Sequence, residues 1–258
     1  MQPVSLVIVA QDEERTIGRV IEAAKPLVCE IIVVDSGSSD RTIEIAEAAG
    51  ARCMHQDWLG FARQKNFAIE QASCDWVLSL DADEILTPAL VEEIKTLLES
   101  PELPAYDGYK LPRVLYIGDR AIAHGGFYPD AQLRLFKKAK GRFGLRLVHE
   151  AIKMDGPVKQ LKHSMDHYAY RDIAAFEQAM DKYARLSAQE YFGRGPAYYQ
   201  KKLNPLSASL HPSWTFFNRY VLRGGFLDGE DGLKLAEIYS GYVGKKISYL
   251  KELTEQQP

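Results

Sequence analysis

Apolar and polar positions alternate along the first third of the chain in a regular way. Val4 to Ala10 is an almost continuous apolar run closed by Gln11-Asp12-Glu13-Glu14, and Ile31 to Val34 is another, closed by Asp35-Ser36-Gly37-Ser38-Ser39-Asp40. A weaker run covers Ala51 to Gln56, and a fourth, Trp76 to Leu80, ends in Asp81-Ala82-Asp83-Glu84. Short apolar runs bounded by polar residues are expected of strands covered on both faces. Between them the spacing becomes helical, from about Arg15 to Ala24, Arg41 to Ala49 and Phe61 to Ala72. Strands alternating with helices of this length predict βαβ crossovers of the usual hand and a parallel sheet. Ligands of such sheets bind outside the carboxyl ends of the strands, so Gln11 to Glu14, Asp35 to Asp40 and Asp81 to Glu84 are expected to converge on one edge.

Thr87-Pro88 reads as an N-cap and first helical residue, after which Leu90, Val91, Ile94, Leu97 and Leu98 form a core-facing stripe. Gly108 to Ile117 reads as a strand in which Pro112 marks an edge or a bulge. His124-Gly125-Gly126 is a glycine-marked turn, and in Asp130 to Lys138 an alternating strand sets Leu133 and Leu135 against Gln132 and Arg134. Phe143 to Ile152 carries Val148-His149-Glu150-Ala151, and Val158 to Leu161 leads to His163, His167 and Tyr168. The final third reads as helical, at Ile173 to Phe192, Pro212 to Arg223 and Gly232 to Leu253, with a glycine-rich break from Gly224 to Gly229. The expected division is an α/β domain over 1–170 and a helical extension over 171–258.

Candidate chemistry centres on Asp81 and Asp83. In an extended chain residues two apart project the same way, which puts both carboxylates on one side with Ala82 between them. Carboxylates that close repel, and a hard divalent cation such as Mg2+ or Mn2+, its shell completed by phosphate oxygens, relieves the repulsion. The plainer alternative is that the pair solvates a strand end and caps the next helix. Taken singly, Asp35 is a helix-start residue and Glu13 a partner of a helix dipole. Their joint placement with the Asp-x-Asp is what argues for a site.

A chain of 258 residues with net charge −3 has an ordinary soluble composition and no global basic field for nucleic acid. Cys29, Cys53 and Cys74 lack metal-type spacing and lie in or beside apolar segments, which predicts reduced core thiols and a cytoplasmic setting. No basic segment followed by an apolar stretch opens the chain, and no run approaches the ~18 apolar residues of a membrane span. The expectation is a chain that neither spans a bilayer nor is exported.

The order Val-Ile-Val-Ala-Gln-Asp-Glu-Glu, then Val-Val-Asp-Ser-Gly-Ser-Ser-Asp-Arg-Thr, then Arg63-Gln64-Lys65-Asn66, then Leu-Asp-Ala-Asp-Glu resembles the family two glycosyltransferases of the GT-A fold over about residues 3 to 100. The resemblance implies a Rossmann-like, mostly parallel sheet flanked by helices. It also implies a nucleotide-sugar donor held by Gln11, Glu13, Asp35, Arg63, Lys65 and Asp81, with a divalent cation on Asp81 and Asp83. His167 would reach that cation or the diphosphate from the far side, or else serve as a structural histidine. Glu150 corresponds to the acid that relatives place opposite the sugar and is the expected general base, with Asp130 its rival and His149 either its orienter or a core histidine. Arg134-Leu135-Phe136, Val148-His149-Glu150, His167-Tyr168 and the tail Arg223 to Gly229 resemble a narrower branch, the bacterial lipopolysaccharide core enzymes that add β-glucose to an inner-core heptose. UDP-glucose and a lipid-linked saccharide are the donor and acceptor that this branch implies.

From Tyr191 to Leu227 the chain has no Asp or Glu, yet it carries Arg194, Lys201, Lys202, Arg219 and Arg223 among many aromatics. Such a span is expected to attract an anionic membrane surface, placing the protein peripherally on the inner face of the cell membrane, or else to pack the tail onto the catalytic domain. Two other functions compete: a nucleotide-sugar-binding module without turnover, and a nucleotidyltransferase. Against the first stand the intact Asp81, Asp83 and Glu150. The second calls for a glycine-rich phosphate loop near the N-terminus that this chain lacks.

Overall fold

Hydrophobic burial places the strands. In the computed structural model, which describes residues 1–101, 103–144 and 151–256, the first strand β1 (Val4–Ala10) is buried along nearly its whole length, with Leu6 and Ile8 fully enclosed. Each such Leu, Ile or Val contributes about 1.5–3 kcal/mol relative to exposure. Then follow α1 (Ile17–Ala24), β2 (Glu30–Asp35), α2 (Thr42–Ala48), β3 (Arg52–His55), α3 (Phe61–Glu70), β4 (Trp76–Asp81), β5 (Glu84–Leu86) and α4 (Pro88–Glu99). Thr87 caps α4, accepting from Leu90 N at 3.3 Å, and Leu90, Ile94 and Leu98 form its buried stripe. Next come β6 (Gly108–Leu111), β7 (Arg113–Ile117), β8 (Arg120–Ile122), β9 (Gln132–Lys137), β10 (Gly141–Phe143), β11 (Ile152–Met154), β12 (Val158–Gln160) and β13 (Met165–Tyr170). The helices α5 (Ile173–Gly193), α6 (Pro196–Lys202), α7 (Pro205–Phe217) and α8 (Gly229–Glu255) complete the chain.

The chain divides into two compact units, one of residues 1–114 and 129–169 and the other of 115–128 and 170–258. The first holds a seven-stranded sheet in the order β12-β6-β9-β4-β1-β2-β3. Pairing is parallel from β4 through β1 and β2 to β3, as the strand–helix alternation predicts, whereas β9 is antiparallel to both β4 and β6. No helical crossover precedes β9, so nothing obliges it to run parallel. The core lies on both faces of this sheet, with Val4, Leu6, Ile8, Leu78 and Leu80 in one cluster and Val7, Ile32, Val34 and Phe136 in the other.

Several sequence expectations change. Gly108 to Ile117 is two strands rather than one, because Pro112 has no N–H to continue the ladder. Arg134, which the alternation sets against Leu133 and Leu135, is 4% exposed, beside the fully buried Leu135 and Phe136. Cys29 is exposed, and its sulfur lies 2.8 Å from that of Cys74, at the sheet end opposite the strand carboxyl termini. The helix expected at Pro212 to Arg223 runs instead from Pro205 to Phe217, takes Pro212 inside it, and widens into a π-wound turn at Asn218–Leu222. In the same unit α5 packs against α8, Ser187 Oγ meeting Tyr242 Oη at 3.1 Å while Asp181 accepts from Tyr249 Oη at 2.9 Å.

Candidate active site

The parallel register sets acids at one edge. Ala10, at the end of β1, pairs with Asp35, and Val9 pairs with Asp81, so the last residues of β2 and β4 flank the end of β1. The polar loops beyond them are laced together. Asp12, a non-glycine residue with positive φ (56°), donates its N–H to Ser38 Oγ at 2.9 Å and accepts from Ser39 N at 2.7 Å. Aspartate tolerates this left-handed conformation when its side chain bonds locally. Glu13 N donates to Thr42 Oγ1 at 2.7 Å and Glu14 N to Asp40 at 3.1 Å. Asp35 is buried and accepts from Gly37 N at 2.8 Å and Ser38 Oγ at 2.5 Å. Its carboxylate thus fixes the loop, with His55 Nδ1 3.8 Å away.

Asp81 sits in a network of alternating charge. Its carboxylate accepts from Lys65 Nζ at 2.5 Å and from Arg134 Nη2 at 2.6 Å. The same Arg134 nitrogen donates to Glu84 at 2.6 Å, and Glu84, fully buried, also accepts from Arg113 at 2.8 Å. Arg113 in turn holds Asp130 through Nε at 3.0 Å and Nη2, and Gln132 donates to the other Asp130 oxygen at 2.7 Å. Burial alone would raise the Asp81 pKa, but Arg134 and Lys65 outweigh it and hold the carboxyl well below the usual range. Burial likewise opposes the lowering of Asp130, which Arg113 and then Gln132 carry. Lys65, Arg134 and Arg113 are therefore matched by Asp81, Glu84 and Asp130.

Asp83 stands outside this network. Strand β4 ends at Asp81, and Asp83 lies on the turn into β5, so the expected alternation of two carboxylates along one strand does not hold. What reaches Asp83 is His167: β13 pairs antiparallel with β5, placing His167 opposite Glu84, and Tyr168 N donates to Asp83 O at 3.0 Å. His167 Nε2 is 3.4 Å from Asp83 Oδ2, and both side chains are partly accessible, at 17% and 20%. Among the described residues no three His, Cys, Asp or Glu side chains gather to hold a metal ion. The Asp83 carboxylate suits Mg2+ or Mn2+ when phosphate oxygens and water supply the remaining ligands, and the imidazole nitrogen suits Mn2+ better than the harder Mg2+. Each Asp81 oxygen already accepts from a cation, one from Lys65 and the other from Arg134.

Of the other expected site residues, Gln11 and Arg63 are exposed, while Lys65 also lies 5.2 Å from the Phe143 ring centroid. His149 and Glu150 lie outside the described residues. Sequence reasoning missed Glu84, Arg113 and Gln64 as organisers. Gln64, fully buried, bonds Ser36 Oγ at 3.0 Å and Gln56 O at 2.8 Å. The available signal for Arg134 was a lone cation between Leu133, Leu135 and Phe136 in a chain with acids at a strand end.

Glu13 is the titrating member of the edge. Burial first, then the charge of Asp83, push its pKa up from 4.5 to about 7, partly offset by Thr16. A folded pKa above the unfolded value means stability that is full below the unfolded pKa and lost as pH rises through the folded one. The metal-free protein is therefore expected to lose stability between about pH 5 and 8, by at most about 3 kcal/mol given ~1.4 kcal/mol per unit. Glu13→Gln should remove that part of the slope in urea unfolding. Equal slopes in the two proteins would show that Glu13 ionises normally.

Residues 5–148 match the family described as Glycosyl transferase family 2. The lipopolysaccharide core biosynthesis glycosyltransferase LpsC of Rhizobium meliloti is 33% identical over 214 residues, covering 79% of this chain and 77% of that protein. An uncharacterized glycosyltransferase of Rickettsia typhi, RT0209, is 28% identical over 265 residues, covering 98% and 88%. Among solved structures, glucosyl-3-phosphoglycerate synthase from Mycobacterium tuberculosis is 29% identical over 43% of this chain and 44% of that one, with a TM-score of 0.37.

Proposed function

We propose, from the premise that this chain belongs to glycosyl transferase family 2, that it moves a sugar with inversion from a UDP-sugar to a lipid-linked saccharide, with the help of a divalent cation. The observation that carries this reading is the edge itself: Glu13, Asp35, Asp81 and the Asp83–His167 pair sit at or beside the carboxyl ends of parallel strands, where such sheets take nucleotides. UDP-glucose is the donor that the sequence resemblance favours, and the inner core of lipopolysaccharide the acceptor. LpsC, a lipopolysaccharide core enzyme by its name, supports that lean.

Asp83 and His167 are the residues that would hold the cation, which when bound supplies charge stabilisation to the departing diphosphate. Glu13 and Asp35 take the nucleoside, and Asp35 presents a loop already fixed by Gly37 and Ser38. Lys65, held at 2.5 Å by Asp81, adds positive charge beside the same edge. The acceptor hydroxyl loses its proton to Glu150. Asp130 suits that task less well, because a carboxyl held low by Arg113 and Gln132 is a poor proton acceptor.

The test is a screen of nucleotide sugars for UDP release that depends on Mn2+ or Mg2+ and on added lipopolysaccharide core acceptor. In that assay Glu150→Gln is expected to leave the donor KM in place and lower kcat by roughly 10²-fold or more. A large loss in Asp130→Asn with none in Glu150→Gln would reverse the two roles. Release of a nucleotide other than UDP would overturn the donor.

A further inference from the structure

Among the described residues, the helical unit presents an exposed apolar face. Leu210, Trp214, Phe217 and Val221 recur at steps of four, three and four along α7 and its π-wound continuation, the spacing of a single helix face. All four are exposed, Leu210 at 58% and Trp214 at 56%. Leu222, Phe226 and Leu227 follow at 59%, 51% and 61%. The other side of the segment is the packed one. Pro212 O accepts from Ser240 Oγ of α8 at 2.7 Å, Phe216 stacks on Tyr220, and Arg219 lies 3.4 Å from the Tyr239 ring centroid while donating to Gly125 O at 2.7 Å. Isolated exposed apolar residues are ordinary, but a series of this length on one face marks an interaction surface.

Charge indicates what covers it. Between Tyr191 and Leu227 there is no Asp or Glu, while Lys201 and Arg223 are exposed and Lys202 Nζ lies 5.6 Å from the ring centroids of Tyr191 and Tyr198. Of the acids that follow, Asp228 is engaged by His124 at 2.8 Å and Asp231 by Arg120 at 2.8 Å, while Glu230 is exposed. Two copies of this chain meeting through the same face would set like charges against each other. Among the described residues no helix is long and apolar enough to cross a membrane.

We propose that this face docks on an anionic lipid bilayer, with Trp214, Phe217, Leu222 and Phe226 entering the interface and Lys201 and Arg223 at the headgroups. An apolar face with a cationic rim lies in the plane of such a surface, tryptophan at the boundary. The mode differs from the electrostatic one that composition suggests. Arg194 is paired with Glu190, and Arg219 is drawn inward over Phe127 and Tyr239, so charge orients the face and apolar burial holds it.

The full-length chain is to be sedimented with vesicles of phosphatidylcholine and phosphatidylglycerol. It is expected to bind, to keep most of its binding at about 0.5 M salt, where charges are screened beyond a few ångströms, and to show Trp214 fluorescence quenched by brominated lipid, an effect lost in Trp214→Phe. Trp214→Ser/Phe217→Ser/Leu222→Ser should weaken partitioning at least ~10-fold, since the removed contacts are apolar. Melting and hydrolysis of the sugar donor in solution should not change, as none of the three is a donor residue. Absent binding would overturn the proposal, as would binding abolished by salt and indifferent to the triple variant. Self-association lost in that variant, without lipid affinity, would assign the face to a second copy. None of these results bears on the transferase reading, which donor hydrolysis tests separately.

Discussion

Asp83→Asn is expected to lower kcat/KM for sugar transfer by roughly 10³-fold or more, because charge stabilisation at a leaving diphosphate is worth several kcal/mol and each 1.36 kcal/mol is a factor of ten. The fold should survive. Asp83 is partly accessible, lies on a turn, and its main-chain carbonyl, the acceptor from Tyr168 N, is untouched by the change. Two readouts besides turnover separate a ligand role from a packing role. Calorimetric affinity for UDP should cease to respond to Mn2+, and Glu13, no longer facing a charged Asp83, should titrate lower than about 7. His167→Ala should reproduce the first effect in weaker form, since one donor of the pair remains. Undiminished turnover of Asp83→Asn at saturating Mn2+ would remove the cation from Asp83 and leave the acid as a turn residue.

Why Asp83 was legible in the sequence while its partner arrangement was not follows from what local patterns report. Periodicity reads burial, so the runs at Val4, Ile31 and Trp76 identify strands, and the polar residues closing each run identify the ligand edge. It reads long-range pairing poorly. The approach of His167 to Asp83 depends on the register of β13 against β5, strands about eighty residues apart in the chain, and no local signal encodes that register. The burial of Arg134 was not legible in the alternation for a related reason. Alternation assumes that a charge prefers water, and the rule gives way where carboxylates from another strand meet the charge inside. The extra helical turns before Pro212 were hidden because proline argues against a helix interior, yet the helix takes Pro212 in, its carbonyl accepting from Ser240 Oγ of α8 at 2.7 Å. The acid-free tail was visible as composition, but which of its cations are engaged required the contacts of Arg194 and Arg219.

Arg134 carries the second large effect, on stability. Its Nη2 serves both Asp81 and Glu84 at 2.6 Å, and Glu84 has no access to water. Arg134→Met fills much of the same volume and removes the charge, leaving Glu84 with Arg113 and the Asp81 N–H, and the Asp81 carboxylate with Lys65. Removing one member of a buried ionic cluster costs roughly 3–5 kcal/mol through the charge left uncompensated. For a chain of this size that corresponds to a melting temperature lower by about 10 °C. A packing loss and an electrostatic loss are separated by a second substitution. If the cost is the stranded carboxylate, Glu84→Gln in the Arg134→Met background should restore part of the stability, whereas a packing defect would only deepen with the second change. The pH dependence distinguishes them again. Asp81 is held below its ordinary pKa by Arg134 and Lys65, so it contributes stability above the unfolded carboxylate pKa that is lost as pH falls toward the folded one. Arg134→Met should shrink that contribution, and its deficit relative to the native chain should therefore be larger at neutral pH than in acid. A deficit below about 1 kcal/mol, or one that does not change with pH, would mean that Lys65 and Arg113 suffice and that Arg134 is dispensable to the edge it supports.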